Sequence, residues 1–123
     1  MRAALLISHG SHSPKAKKEI IRLVKKIKAR SGFEILEYAF LEIAKPTIPQ
    51  GIDRCVRQGA DSITILLNFL NSGKHVDEDI PKLIKKAKTR YPYVDFQATP
   101  PVGQHPKIQD LFLDFFNPRS DLK

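Results

Sequence analysis

Two histidines occupy equivalent positions in the sequence, each a few residues after an apolar segment. His9 lies in AALLISHGSH and His75 in ITILLNFLNSGKH, while Glu42 stands near the end of a third apolar segment, FEILEYAFLEI. Two imidazoles and one carboxylate form a suitable ligand set for a divalent first-row metal, and they leave coordination positions open for a substrate. These residue types therefore indicate metal chemistry or metal transfer rather than a closed structural metal site.

Each of these three residues also has an ordinary structural interpretation. His9 suits a helix cap or a hydrogen-bonded loop position, and His75 suits a cap of the helix that follows the NSG turn. Glu42 suits a surface ion pair with Lys45. The ligands are far apart in the chain, so no local spacing motif separates the two interpretations.

The remaining histidines and the cysteine are expected to be structural. No strand precedes His12 directly, so we expect it to be a loop residue. His105 precedes Pro106 at a predicted helix start, which favours a structural role over metal binding. Cys55 lies in the middle of a predicted helix, near its apolar stripe, and is interpreted as a small buried hydrophobe.

Apolar segments of strand type alternate with amphipathic segments of helix type along the chain. The predicted strands are 3–7, 33–43, 62–70 and 93–98, and each is followed by a segment with apolar residues at helical spacing. The last helix places a set of apolar residues on one side: Ile108, Leu111, Phe112, Phe115 and Phe116. Strict alternation predicts an α/β fold, a small doubly wound parallel sheet of about four strands with helices on both faces and flavodoxin-like topology. In such a sheet the carboxyl ends of the strands meet at one edge, which is where His9, Glu42 and His75 would converge.

Length and composition set the broad class. The chain has 123 residues, a net charge of +8 and a single cysteine. We expect one domain over 1–117 and a frayed tail over 118–123. The cysteine count favours the reducing cytoplasm, and no segment approaches the roughly 20 apolar residues of a membrane span. The positive charge favours an anionic partner, although most of the lysines are expected to lie on the solvated faces of two helices.

Several segments together resemble a known enzyme family. LLISHGSHSP, EYAFLEIAKPTIPQGIDRCVRQGA, FLNSGKHVDEDIP and PPVGQHP are similar to the small, single-domain sirohydrochlorin cobaltochelatases, which belong to the class II, ATP-independent tetrapyrrole chelatases. FLNSGKHVDEDIP is the most specific of these segments. The resemblance implies a chelatase-like fold and insertion of Co²⁺ into sirohydrochlorin in cobalamin biosynthesis, with release of two protons. Iron or nickel insertion at the same site is the alternative.

The resemblance also implies roles for individual residues. His9 is the expected metal ligand and general base, with His75 and Glu42 as further ligands. Lys45 and one loop are the expected sirohydrochlorin-binding residues, the loop being Leu70, Asn71, Ser72, Gly73 and Lys74. The metal is implied to be a substrate, with no tightly bound cofactor, and the protein a homodimer that binds neither nucleic acid nor membrane.

A hypothesis from another class rests on charge and histidines alone. A basic metal-carrier protein or a nucleic-acid-binding module would also be cationic and histidine-containing. Nucleic-acid binding would depend steeply on salt, and the chain lacks the aromatics interleaved with lysine that single-strand binders use. A carrier would bind metal but leave the tetrapyrrole spectrum unchanged.

Overall fold

The computed structural model describes residues 1–117. The predicted frayed tail, 118–123, lies outside the described residues. Strands and helices alternate along the described part of the chain. The strands are β1 (Arg2–Ser8), β2 (Ile35–Phe40), β3 (Ser62–Leu67) and β4 (Asp95–Pro101), and the helices are α1 (Pro14–Ser31), α2 (Ile48–Arg57), α3 (Ile80–Arg90) and α4 (Ile108–Phe116). A π-helical turn, His75–Asp79, leads into α3, and a 3₁₀ turn, Val102–Gln104, follows β4.

The four strands form one sheet in the order β2-β1-β3-β4, and all three neighbouring pairs are parallel. β1 lies in the centre, where Ala3 pairs with Ile35 of β2 and with Ile63 of β3. This order confirms the predicted doubly wound fold of flavodoxin-like topology. It also brings the carboxyl ends of β1, β2 and β3 to the same edge of the sheet.

The two faces of the sheet are covered by different helices. The larger core cluster joins one face of the strands to α2 and α3, through residues such as Leu5, Ile65, Ile52 and Ile80. The smaller cluster joins the other face to α1, through Val24. Helices therefore lie on both faces, as predicted, but among the helices of the described residues only α1 contributes buried residues to the second face.

The local sequence explains where α1 and α2 begin. The Ala16 amide donates to Ser13 Oγ at 3.4 Å, and Pro14 occupies the first turn of α1. Thr47 and Gln50 form a reciprocal capping box at the start of α2, in which the Thr47 amide donates to Gln50 Oε1 at 2.9 Å. Side-chain caps satisfy amides that have no partner within a helix. Both helices consequently begin near the sheet edge to which the site residues belong.

The ends of β2 and β3 differ from the prediction. β2 ends at Phe40 rather than at 43, because the Phe40 amide donates to the Pro46 carbonyl at 2.8 Å and the chain then leaves the sheet. Ile43 in this loop has φ 73°, a conformation that a strand does not contain. β3 likewise ends at Leu67 rather than at 70. β4 runs from Asp95 to Pro101 instead of 93–98.

Helix α4 does not join the core. The helix lies within the described residues, none of its side chains is buried, and neither core cluster includes any of them. Its predicted apolar side is largely exposed to solvent, since Leu111 and Phe116 are 56% and 81% exposed. Within residues 1–117, no helix is both long enough and apolar enough to cross a bilayer.

Candidate metal and substrate site

His9 is the first residue after β1, and its backbone is held against the loop that follows β2. The Leu41 amide donates to the Ser8 carbonyl at 2.8 Å, and the Glu42 amide donates to the His9 carbonyl at 3.0 Å. The next residue, Gly10, has φ +111°, and a Cβ there would lie 1.8 Å from the Glu42 carbonyl oxygen. Only glycine permits this approach of the two loops. The imidazole of His9 is exposed and meets the edge of Phe69, with ring centroids 4.7 Å apart.

His75 begins the π-helical turn ahead of α3 and has a carboxylate partner. Its Nδ1 lies 2.7 Å from Asp79 Oδ2. When Nδ1–H donates to this carboxylate, Nε2 keeps its lone pair and is the nitrogen available to a metal ion or a proton. The same pattern orients many metal-binding histidines, because the carboxylate fixes both the ring rotation and the tautomer.

The two imidazoles lie side by side at one cavity. Their ring centroids are 5.6 Å apart with an interplanar angle of 83°. The cavity has a volume of about 400 Å³ and is lined by His9, Asn68, Phe69, Leu70, Asn71, Ser72, Gly73, Lys74, His75 and Val76. The structure thus brings both histidines and the whole predicted substrate loop, 70–74, to one place.

The predicted substrate loop, 70–74, is attached to the 3₁₀ turn that follows β4. The Gly103 amide donates to the Phe69 carbonyl at 3.1 Å, and Gln104 Nε2 donates to Ser72 Oγ at 2.6 Å. A Cβ on Gly103 would lie 1.8 Å from the Leu70 carbonyl oxygen, so the two backbones touch only because glycine stands there. The position of the loop therefore depends on residues about thirty positions further along the chain.

A second cavity adjoins His9 on the side of α1. It has a volume of about 270 Å³, and Ser11 and Lys17 are among the residues that line it. His9 and Asn68 line both cavities. Asn68 Nδ2 donates to the Oγ of buried Ser8 at 3.0 Å, which fixes the amide between the ends of β1 and β3. His9 consequently stands between two open spaces.

Glu42 is beside His9 in the backbone, but its side chain is exposed. It lies in the loop after β2 rather than at the end of the strand, because β2 stops at Phe40. Within residues 1–117, no three His, Cys, Asp or Glu side chains are close enough to hold one metal ion. The structure therefore brings His9 and His75 together without adding Glu42, whose role as a third ligand stays a prediction. Lys45, in the same loop, is exposed and does not line the cavity of the two histidines.

The other histidines and the cysteine occupy different surroundings. His12 is exposed in the loop between β1 and α1. His105 Nδ1 accepts a hydrogen bond from the Lys107 amide at 3.0 Å, a structural role in agreement with the prediction. Cys55 is buried in the larger core cluster, which confirms that it acts as a small hydrophobe. Burial, with a smaller contribution from the Glu37 carboxylate, raises the pKa of its thiol to about 12, so the thiol stays protonated at neutral pH.

Some residues of the site were not identified from the sequence. Asp79 is one of them, although its spacing of four from His75 is a spacing at which helical side chains meet. Asn68 and Gln104 gave no sequence signal, because the contacts of Asn68 with Ser8 and of Gln104 with Ser72 join residues 60 and 32 positions apart.

Comparisons with known proteins agree with one another. The profile of the CbiX family matches residues 3–117. The sirohydrochlorin ferrochelatase of Priestia megaterium is 34% identical over 117 residues, which cover 95% of this chain and 44% of that protein. The sirohydrochlorin cobaltochelatase of Methanocaldococcus jannaschii is 39% identical over 84 residues, which cover 68% of this chain and 59% of that protein.

The fold also matches a solved structure. The sirohydrochlorin chelatase SirB from Bacillus subtilis subspecies spizizenii, crystallised in complex with cobalt, superposes with a TM-score of 0.84 at 30% identity. The match covers 95% of this chain and 50% of that one. The matched residues therefore span about half the length of each of these three proteins.

Proposed function

Because the chain belongs to the CbiX family, we propose that it is an ATP-independent chelatase that inserts a divalent metal ion into sirohydrochlorin. The observation that carries the proposal is the approach of His9 to His75, whose ring centroids are 5.6 Å apart at a cavity that the 70–74 loop also lines. Two of its relatives are named as chelatases of sirohydrochlorin, one a ferrochelatase and the other a cobaltochelatase.

The proposed reaction exchanges protons for a metal ion. As the divalent ion enters the macrocycle, four ring nitrogens bind it and two pyrrolic protons leave. The ion is a substrate in this scheme, and no resident cofactor is proposed. A neutral imidazole near pH 7 binds a metal ion or accepts a proton, so His9 serves as ligand and general base. His75 supplies the second nitrogen through Nε2, while Glu42 is proposed as a third ligand or as a proton relay to solvent.

Loose metal binding suits this reaction. A site that holds the ion with a full set of four protein ligands, as structural zinc sites do, does not release it to a second chelator. Two adjacent imidazoles with an exposed carboxylate nearby leave most of the coordination positions open. The macrocycle then displaces the protein ligands one at a time, and the ion moves from imidazole nitrogens to pyrrole nitrogens.

The substrate loop is proposed to bind the edge of the macrocycle. Sirohydrochlorin carries eight carboxylates, and the ammonium group of Lys74 and the backbone amides near Gly73 are suited to receive them. Lys45 is proposed as a further contact from the loop after β2. The net charge of +8 favours such an anionic substrate, although lysines outside the cavity contribute only a general attraction.

Cobalt is the metal we propose, with a place for the product in cobalamin biosynthesis. Iron and nickel are the alternatives. Imidazole and carboxylate ligands bind all three divalent ions, and the affinity of such a ligand set for each ion follows the Irving–Williams order. The choice of metal therefore depends on the rate of insertion and on supply more than on ligand type.

The test is a comparison of metals. Purified protein is mixed anaerobically with sirohydrochlorin and Co²⁺, Fe²⁺ or Ni²⁺, and the absorption change of the macrocycle is followed with time. We expect the protein to accelerate insertion, with cobalt fastest, relative to the same mixture containing a His9→Ala, His75→Ala double variant. No acceleration with any of the metals contradicts the chelatase proposal. Metal binding without a change in the tetrapyrrole spectrum identifies a carrier.

A homodimer in the cytoplasm completes the proposal. One domain of 14.0 kDa has little wall area for a flat macrocycle, and a second copy supplies more. The match also covers only 44% of the Priestia megaterium ferrochelatase and 50% of the SirB chain. The buried, protonated Cys55 suits a reducing compartment.

A further inference from the structure

We propose that the second cavity beside His9, on the side of α1, binds one carboxylate arm of the tetrapyrrole, and that Lys17 is the residue that binds it. The inference rests on the proposed function, because it assigns a further contact to that substrate. Of the residues to which the family resemblance gives a role, only His9 lines this space, which we call the α1-side cavity.

The α1-side cavity suits one arm of the macrocycle and not the macrocycle itself. Its volume is about 270 Å³, whereas a cavity that holds a whole drug-sized ligand measures about 300–1,000 Å³. Sirohydrochlorin is larger than a drug-sized ligand, and acetate and propionate arms extend from its rim. The flat ring therefore stays at the cavity of the two histidines while a single arm enters the space beside it.

His9 and Asn68 join the α1-side cavity to the cavity of the two histidines. Both residues line both cavities, so the two spaces meet at these side chains. The Asn68 amide is held at this boundary by its hydrogen bond to Ser8 Oγ at 3.0 Å. A macrocycle that presents its ring nitrogens to a metal ion on His9 consequently has part of its rim next to the α1-side cavity.

Lys17 is the cation of the α1-side cavity. It is half-buried near the start of α1, and Ala16 and Ile20 of the same helix also line the cavity. Within residues 1–117 the Lys17 ammonium group forms no ion pair, since the ion pairs there join other residues. Partial burial of a charge is unfavourable unless an opposite charge accompanies it. A carboxylate supplied by the substrate satisfies this ammonium group.

Ser11 supplies a neutral hydrogen-bond donor in the same cavity. Its Oγ accepts a hydrogen bond from the Ser13 amide at 3.0 Å, so the hydroxyl proton is free to donate. A carboxylate has two oxygens and accepts from an ammonium group and a hydroxyl at once, and charge-assisted bonds are the stronger kind. Ser11 and Lys17 together match a carboxylate in charge and in hydrogen bonding.

One carboxylate of the protein also lines the α1-side cavity. Glu19 is exposed, and within the described residues it forms no ion pair with Lys17. Its charge opposes the binding of an anionic arm, but the opposition is weak because solvent and salt screen an exposed side chain. Lys17 and Glu19 therefore act on the same contact with opposite signs.

The first experiment compares three lysines that lie within four positions of the chain. Lys15, Lys17 and Lys18 carry the same charge, but Lys15 and Lys18 are exposed and do not line the cavity. Lys17→Met removes the charge and retains most of the aliphatic length, and Lys15→Met and Lys18→Met are the matched controls. We expect Lys17→Met to raise the KM for sirohydrochlorin roughly tenfold, with kcat changed less than about twofold. Each control changes the KM less than about twofold.

Two further variants test whether the charge is responsible. Lys17→Arg retains the charge, and we expect its KM to stay within about threefold of the wild-type value. Glu19→Gln removes the opposing charge, and we expect it to lower the KM about twofold. A KM for Lys17→Met within the range of its two controls overturns the proposal. A loss confined to kcat also overturns it, because that result places Lys17 at the reacting atoms.

A binding titration without metal separates this inference from the proposed function. Sirohydrochlorin is titrated with each protein, and we expect roughly tenfold weaker binding by Lys17→Met than by its controls. Binding that depends on Lys17, without metal insertion by the wild type, contradicts the proposed function and supports the carboxylate site. Metal insertion by a wild type whose binding does not depend on Lys17 supports the function and overturns the carboxylate site.

Two porphyrins identify the arm that Lys17 binds. Uroporphyrin carries an acetate and a propionate on each pyrrole ring, and in coproporphyrin methyl groups replace the acetates. An effect of Lys17→Met on uroporphyrin binding that disappears with coproporphyrin assigns an acetate to the α1-side cavity. An effect that persists with coproporphyrin assigns a propionate. Equal binding of both porphyrins by Lys17→Met and by its controls overturns the proposal.

Discussion

His75 and His9 reach the same cavity from two different kinds of backbone. One continuous segment supplies His75, its partner Asp79 and the 70–74 loop, and a side-chain hydrogen bond of 2.7 Å orients the imidazole. His9 comes from the loop after β1, and backbone hydrogen bonds to the loop after β2 hold it. On the His75 side the segment supplies its own polar partner. On the His9 side, position depends on the pairing of strands and on the contact between two loops.

The largest effect expected from this comparison is the loss of either histidine. His9→Ala and His75→Ala are each expected to lower the rate of metal insertion by roughly 100-fold or more, because the first removes the proposed ligand and general base and the second a proposed ligand. Rates are measured from the absorption of sirohydrochlorin, with circular dichroism to verify the fold. His12→Ala, an exposed loop histidine, is the matched control and retains near wild-type activity. Full activity in either of the first two variants removes that residue from the mechanism.

The next largest effect tests whether the hydrogen bond between Asp79 and His75 contributes to metal binding. Asp79→Asn weakens metal binding about 10- to 100-fold, because the orientation and tautomer of His75 are no longer fixed. The KM for the metal is the quantity measured, with the KM for sirohydrochlorin changed much less. Asp77→Asn, an exposed residue of the same turn, is the control. If both variants behave alike, the contact between Asp79 and His75 has no role in the reaction.

Glu42→Gln tests the His9 side of the site, where Glu42 lies in the loop after β2. We expect a decrease of roughly tenfold in the insertion rate, smaller than that of the histidine variants. The Glu42 carboxylate is exposed and does not form a three-residue metal-binding group with the two histidines within residues 1–117, so its proposed role is to assist the ion or to carry protons to solvent. Steady-state rates at saturating metal measure this effect. A loss as large as that of His9→Ala shows instead that Glu42 closes onto the ion as a full ligand during the reaction.

The smallest effect concerns the two lysines. Lys74→Ala raises the KM for sirohydrochlorin about threefold to tenfold, since one charge-assisted contact in a solvated cavity is lost. Lys45→Ala has a weaker effect, because Lys45 does not line the cavity of the two histidines. Substrate titrations at low and high salt measure both values. If Lys45→Ala raises the KM more than Lys74→Ala does, the macrocycle binds over the carboxyl ends of β1 and β2 instead.

Much of the fold follows from patterns of adjacent residues. The continuous apolar segment of β1 and the Ser13 cap of α1 are local features, and the structure contains both. The predicted end of β2 is wrong, because the strand stops at Phe40, whose amide donates to the Pro46 carbonyl, and no change in the apolar pattern marks that position. The spacing of apolar residues predicts helix α4, but that spacing does not show whether the apolar side of the helix packs against the core of the same chain.

The sequence by itself determined the order of strands and helices along the chain, the class of the sheet and the expected proximity of two histidines, because alternation and right-handed crossovers leave few arrangements of the chain. Only the tertiary structure decided which residues share the cavity. It paired Asn68 with Ser8, attached the 70–74 loop to Gln104 through Ser72, and left the Glu42 side chain in solvent. These contacts join distant segments of the chain, and their geometry depends on strand register and loop closure, which no local pattern encodes.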